Sequence, residues 1–200
     1  LQTLVLIIIF LPFLSSLSVG LLYNYFSEYI VVSICVISMF IITLCSFVLF
    51  IILYKDIVNS FEFTIYYWGV FSNVQFEIGF LIDRLTTFMF VIVTFVSLMV
   101  HIYTIGYMKG DSGFKKFFCY ISFFTFSMLI LVGSNNFLQL FFGWEAVGLA
   151  SYLLIGFWYK RESAIFANLK AFLVNRVGDL GFLIGISAIL FYFGTLNYIE

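Results

Sequence analysis

Six ionisable residues, Asp83, Arg84, Glu145, Lys170, Arg176 and Asp179, fall inside long hydrophobic stretches. A charge at the centre of a bilayer costs about 2.5–3.5 kcal/mol on insertion scales, so residues that persist there are candidates for moving ions or protons. Glu145 stands near the middle of its stretch, about 13 Å from one end. Gly143, Ala146, Gly148 and Ala150 surround it and would let neighbouring backbones come close. A carboxyl set between an apolar shell and a basic neighbour can load and release a proton. A structural ion pair between helices is the alternative. Arg176 and Asp179 are three residues apart, hence neighbours on one helix face, and could simply neutralise each other. Yet Asn168, Asn175 and Asp179 lie within about 40° of one another around that helix, with Arg176 on the flank. A lone ion pair needs no such polar stripe, whereas a hydrated proton path does. Gly178, Gly181 and Gly185 on the same helix read as a close-packing surface. Lys170 lies about 180° around the helix from Asp179, placed either to serve the path or to snorkel to water. His101, the only histidine, lies near the inner end of its stretch. Its imidazole, titrating ordinarily near about pH 6.5, could pass protons at that surface or serve as an interfacial polar group. Asp83 and Arg84 lie one turn from the outer end of their stretch and read as interfacial.

Other chemistry is missing from the sequence. It contains no glycine-rich phosphate loop, no nucleophile elbow and no Cys or His cluster of the kind that holds haem, iron–sulfur or zinc. Cys35, Cys45 and Cys119 lie inside apolar runs at no metal-ligand spacing and read as small buried hydrophobes. Such a chain carries no electrons by itself, and its expected chemistry is ion movement along buried ionisable groups. Composition agrees: 64% of the 200 residues are apolar, 22% aromatic and 10% charged, with a mean hydropathy of +1.18. Soluble domains run about 45–50% apolar and 25% charged, so a disordered chain, a secreted disulfide scaffold and an ordinary soluble enzyme are excluded, and lipid must surround it. A net charge of −1 offers no patch for nucleic acid.

The elements that must position these residues follow from length. Crossing about 30 Å of hydrocarbon takes about 20 apolar residues, and six stretches qualify: 4–22, 30–53, 80–104, 117–133, 137–158 and 164–193. The run 117–159 would extend about 65 Å as one helix, so it must break, and Gly133-Ser134-Asn135-Asn136 is the turn-forming cluster that breaks it. Residues 57–79 alternate in strand-like period two, with Phe61, Phe63, Ile65 and Tyr67 against Glu62, Thr64 and Tyr66. They predict a short hairpin outside the lipid, turning at Ser72-Asn73. The charge-free first 27 residues lack the basic start and cleavage site of a signal peptide and read as a mature membrane helix. The expected fold is thus an all-α polytopic membrane protein of six transmembrane helices with one extramembrane β-hairpin. It divides into an N-terminal two-helix segment plus hairpin, 1–79, and a second region, 80–200. Loops 105–116 and 159–163 hold Lys109, Lys115, Lys116, Lys160 and Arg161, against Lys55 alone on the opposite side. The basic loops should therefore face the cytoplasm or a mitochondrial matrix.

Three motifs carry a family resemblance. Phe142-Gly143-Trp144-Glu145-Ala146-Val147-Gly148-Leu149-Ala150-Ser151-Tyr152-Leu153-Leu154-Ile155-Gly156-Phe157-Trp158 resembles the fifth-helix motif of the NADH–ubiquinone oxidoreductase chain 5 family, the antiporter-like membrane subunits of respiratory complex I. Lys170-Ala171-Phe172-Leu173-Val174-Asn175-Arg176-Val177-Gly178-Asp179-Leu180-Gly181-Phe182 is similar to its next-helix motif, and His101-Ile102-Tyr103-Thr104-Ile105-Gly106-Tyr107-Met108 to the end of its third helix. Residues 80–190 resemble the family specifically, and the first 80 by pattern only. Ala146 departs from the glycine common there, which alters packing beside Glu145 but not the charges.

The resemblance implies that Glu145 is the channel glutamate and that Arg176 and Asp179 are the family's charged positions on helix six, with Lys170 and His101 as further proton-translocation candidates. Region 80–200 would begin an antiporter-like inverted-repeat fold of discontinuous helices. The glutamate's partner would be a lysine on a seventh helix past Glu200, so the chain would be an N-terminal portion unable to translocate protons alone. No cofactor is expected in this chain. The holoenzyme would use FMN, iron–sulfur clusters, NADH and ubiquinone, and couple NADH oxidation to proton translocation. Partners would be the other membrane and peripheral subunits of complex I and the lipid bilayer, with no nucleic acid. The 29 Phe against six Ala favour an organellar gene and the mitochondrial inner membrane, with the bacterial plasma membrane as the alternative. Two rival functions are a large subunit of a multisubunit Na+/H+ antiporter and a structural membrane subunit whose buried charges only join helices.

Overall fold

The computed structural model describes residues 1–55, 57–71 and 74–199. All six expected helices form: α1 (Gln2–Leu21), α2 (Glu28–Tyr54), α3 (Arg84–Tyr107), α4 (Phe114–Gly133), α5 (Phe137–Ile155), which runs on into a 3-10 turn at Gly156–Trp158, and α6 (Glu162–Phe193). Each is long and apolar enough to cross a membrane. The hairpin lies between α2 and α3 as strands β1 (Phe61–Phe71) and β2 (Val74–Ile82), paired antiparallel with register shifts between Thr64 and Tyr66 and between Tyr67 and Gly69. Its expected turn at Ser72-Asn73 lies outside the described residues.

Local signals set the helix ends. Asn136 accepts the Gln139 N–H at 2.7 Å and starts α5 directly after the break at Ser134, so the turn-forming cluster separates α4 from α5 as expected. Ser27 caps α2 by accepting from Ile30 N. Asp83 caps α3, its carboxylate 2.6 Å from Thr86 N. That cap corrects one boundary: the third span starts at Arg84 rather than 80, and the hairpin runs to Ile82 rather than 79. Residues 80–82 are Phe-Leu-Ile, and hydropathy alone merges them with the helix that follows. The hairpin is also not wholly extramembrane packing. Phe80 and Ile82 are buried in the main core beside Val5, Ile42, Phe90 and Leu129, so the base of β2 plugs one end of the bundle.

Helices α1 to α4 surround that core. Buried hydroxyls join them, with Ser46 Oγ 2.8 Å from Thr94 Oγ1 and Ser97 Oγ 2.6 Å from Thr125 Oγ1. Such bonds replace the hydrophobic drive that lipid removes. Helix α5 lies against α4 at very short range. A Cβ on Gly143 would stand 2.7 Å from Leu131 Cα and 2.9 Å from Leu131 N, which only glycine permits. Helix α6 then packs on α5 and is otherwise largely exposed, with Asp179 and Ile186 its buried residues.

The loops gather at two ends. At one, the hairpin, the α4–α5 turn and the segment after α6 meet, through Phe137 N to Leu196 O at 3.1 Å and Tyr198 N to Asn135 O at 3.2 Å. At the other, Lys115 donates to Tyr23 O at 3.2 Å, and Trp158 Nε1 reaches Asp111 at 3.4 Å. The five basic loop residues share this second end, which is the segregation the sequence predicts.

Candidate functional site

Antiparallel α5 and α6 bring the three central charges together. Arg176 Nη1 donates to both oxygens of Glu145, at 2.7 Å to Oε1 and 2.8 Å to Oε2. The same nitrogen is 3.8 Å from Asp179 Oδ2, beyond hydrogen-bond range. Asp179 is buried, at 6% exposure, and its Oδ1 accepts the Trp144 indole N–H at 2.9 Å. The Arg176 guanidinium also lies over the Phe172 ring, 5.1 Å from its centroid. A cavity of about 280 Å³ opens beside the group, lined by Glu145, Gly148, Ser151, Asn175, Arg176 and Asp179 among others. Gly148 keeps its wall open, because nothing lies within 4 Å of where a Cβ would stand.

The charge arithmetic of this group has a chemical consequence. Two carboxylates share one guanidinium, so the site is one positive charge short of neutral. In low-dielectric surroundings such a deficit matters far more than in water.

The sequence-predicted residues divide between this site and other places. Glu145, Arg176, Asp179 and Asn175 all line the cavity. The expected Arg176–Asp179 neighbour pair is present, but the closer partner of Arg176 is Glu145, one helix away. Asn168 lies farther along the same stripe, beside Gly156, where its Oδ1 is buried without a partner among the described residues. Lys170 is exposed and makes no ion pair among the described residues. Gly178, Gly181 and Gly185 contact nothing within 4 Å of their Cβ positions, so the close packing expected there is not made among the described residues.

His101 is corrected in one respect. It is not interfacial but fully buried, at 0% exposure. Its Nδ1 stands 2.7 Å from Ser97 O, and its Nε2 3.1 Å from Ser122 Oγ. A carbonyl can only accept, so Nδ1 carries a hydrogen, and Nε2 faces the Ser122 hydroxyl. The polar sides of α3 and α4 hide it, because a histidine with two such partners no longer needs water.

Two features escaped the sequence reading. One is Trp144, whose part depends on which residue of α6 lies opposite. The other is a polar cluster under the hairpin. Asn135 Nδ2 donates to Glu62 Oε1 at 2.7 Å and to Glu77 Oε1 at 2.6 Å, while Thr64 donates to Glu77 Oε2 at 3.0 Å. The alternation of Glu62 with apolar neighbours marks its face of β1 but names no partner. Among the described residues no three His, Cys, Asp or Glu side chains converge as metal ligands would, and the three cysteines are free.

Comparisons with known proteins bear on the same segments. A family model described as NADH-Ubiquinone oxidoreductase (complex I), chain 5 N-terminus matches residues 68–118. A second, described as NADH:quinone oxidoreductase/Mrp antiporter, TM, matches residues 134–200. All three sequence motifs fall inside these two ranges. NADH-quinone oxidoreductase subunit L of Neisseria meningitidis serogroup A is 63% identical over 141 residues, which are 70% of this chain and 21% of that protein. Subunit L of Rickettsia typhi is 44% identical over 98% of this chain and 30% of its own length. NADH-ubiquinone oxidoreductase chain 5 of Phytophthora infestans is 43% identical over 98% of this chain and 29% of its own length. The chain therefore spans less than a third of the length of these relatives. In fold it is similar to a chain of the membrane-bound sulfane sulfur reductase, an archaeal respiratory membrane complex. There the TM-score is 0.80 at 20% identity, over 96% of this chain and 38% of that one.

Proposed function

Because this chain belongs to the family of NADH-quinone oxidoreductase subunit L and NADH-ubiquinone oxidoreductase chain 5, we propose that it works in the membrane-embedded part of an NADH:quinone reductase, taking part in proton translocation coupled to NADH oxidation. The observation that carries this reading is the Arg176 guanidinium, gripped by Glu145 on α5 with Asp179 waiting one turn along α6.

Glu145 is the proton-carrying carboxyl. Protonation removes the charge that holds Arg176, whose Nη1 stands 3.8 Å from Asp179 Oδ2 and needs to move only about 1 Å to reach hydrogen-bond distance. Deprotonation draws the guanidinium back. One proton on Glu145 is thereby linked to one discrete position of Arg176, which is the two-state element a coupled machine requires. Lys170 and His101 stand toward the basic-loop end of their helices and are assigned to proton supply on that side rather than to the cavity.

FMN, iron–sulfur clusters, NADH and ubiquinone are assigned to other subunits of the holoenzyme. Those subunits and lipid are the partners of the exposed apolar faces, and no nucleic acid is involved. The membrane is assigned as the mitochondrial inner membrane on the Phe-rich, Ala-poor composition, with the bacterial plasma membrane as the alternative. A second reading, a large subunit of a Na+/H+ antiporter, draws on the Mrp antiporter named in the description that matches 134–200.

A native gel of detergent-solubilised membranes separates these readings. It is stained for NADH dehydrogenase activity and probed for this chain. Co-migration with the NADH-oxidising band is the expected result. Migration in a separate complex without that activity overturns the reading and makes sodium-dependent proton exchange the next assay.

A further inference from the structure

Asp179 is a carboxylate at 6% exposure, and a buried carboxylate needs donors. Arg176 does not supply one at hydrogen-bond distance, because its Nη1 is taken by both oxygens of Glu145 and stands 3.8 Å away. Among the described residues the hydrogen bond that Asp179 does make is to Trp144 Nε1, at 2.9 Å. An indole N–H can only donate. It therefore holds Oδ1 as an acceptor and leaves Oδ2 as the edge that faces Arg176.

The indole is itself held. Its ring meets Phe182 of α6 edge-on at 6.3 Å, and Phe182 meets Phe141 of α5 at 5.8 Å. Two consecutive residues of α5, Trp144 and Glu145, thus hold the two members of an i,i+3 pair on α6, one each. Phe141, Trp144 and Phe182 brace the geometry with ring edges from both helices.

We infer that Trp144 is a positioning residue for proton transfer. Its N–H holds Asp179 in place so that Arg176 stays with Glu145 until Glu145 takes up a proton. Without that bond Asp179 competes for the guanidinium at all times, and Glu145 loses the partner that proton uptake is meant to release. The inference rests on the proposed function, and its test keeps the two apart.

The test uses the full-length subunit in the assembled enzyme in its native membrane. Trp144→Phe keeps an aromatic ring against Phe182 and deletes the donor. The contribution of this subunit to proton pumping per NADH oxidised should fall about tenfold, the scale set by one hydrogen bond to a charged group. Asp179→Leu should lose pumping too, and adding Trp144→Phe to it should lower pumping no further. Ultraviolet resonance Raman adds a readout that packing alone would not move. The indole N–H band isolated by subtracting the Trp144→Phe spectrum should shift toward a free N–H in Asp179→Leu. If Trp144→Phe does not assemble, the wild-type minus Asp179→Leu difference still shows whether an indole loses its bond. Wild-type pumping by an assembled Trp144→Phe enzyme, further loss in the double variant, or an unmoved indole band overturns the inference. If Asp179→Leu itself pumps normally, the role given to Asp179 in the proposed function fails as well.

Discussion

Arg176 Nη1 lies 2.7 Å from Glu145 Oε1 on a different helix, yet 3.8 Å from Asp179 Oδ2 one turn away on its own. The guanidinium has chosen the distant residue in sequence over the near one. Its side chain is half exposed to the cavity while that of Asp179 is buried, so the cation is the member of the trio with room to move.

Replacing Glu145 by Gln keeps the size of the side chain and one oxygen to accept from Arg176, and removes its titration. The enzyme should assemble normally and lose the pumping contribution of this subunit. Vesicle acidification driven by NADH, alongside a native gel for assembly, checks it. Normal pumping by an assembled Glu145→Gln enzyme would sink the site assignment and favour a structural role.

Arg176→Leu leaves two carboxylates facing each other without a cation. Assembly should fall, because an uncompensated charge in low dielectric is strongly unfavourable. The double variant Glu145→Gln with Arg176→Leu should recover part of that loss, though not pumping. Quantifying assembled complex for both singles and the double completes the cycle, and strict additivity would mean that the pair does not interact.

Gly143→Ala forces a methyl group against the Leu131 backbone, which cannot turn aside as a side chain can. Overpacking of this kind costs about 1–3 kcal/mol. The displaced α5 would carry Trp144 and Glu145 with it, so both the thermal stability of the solubilised enzyme and its pumping should drop. An unchanged melting temperature would argue that α4 and α5 are not in this contact.

Asn135→Leu removes the amide that two glutamates share, leaving the carboxylate of Glu77 buried and short of a donor. The cost should be about 1–3 kcal/mol, felt locally at the hairpin. Limited proteolysis from the hairpin side should cut β1 or β2 faster in the variant than in the wild type. Asn135→Asp, adding a third carboxylate, should be worse still, and equal resistance of all three would show that the cluster does not hold the hairpin down.

What the sequence by itself determined is whatever depends on near neighbours. Hydropathy and helix rise set six spans, the Gly133–Asn136 cluster placed the α4–α5 break, and period two found the hairpin. The cost of charge in lipid singled out six residues, of which Glu145, Arg176 and Asp179 line one cavity. Tertiary structure decided the partners. That Arg176 meets Glu145, that Trp144 reaches Asp179, and that His101 is sealed between Ser97 and Ser122 each depend on the rotation and depth of one helix against another. Those are set by distant contacts such as Gly143 on Leu131. The base of β2 belongs to the same class: Phe80 and Ile82 read as the start of a helix until Asp83 caps α3 and the core of α1, α2 and α4 closes around them. Local periodicity shows which face of an element is polar, but only the packing of all six helices shows what that face meets.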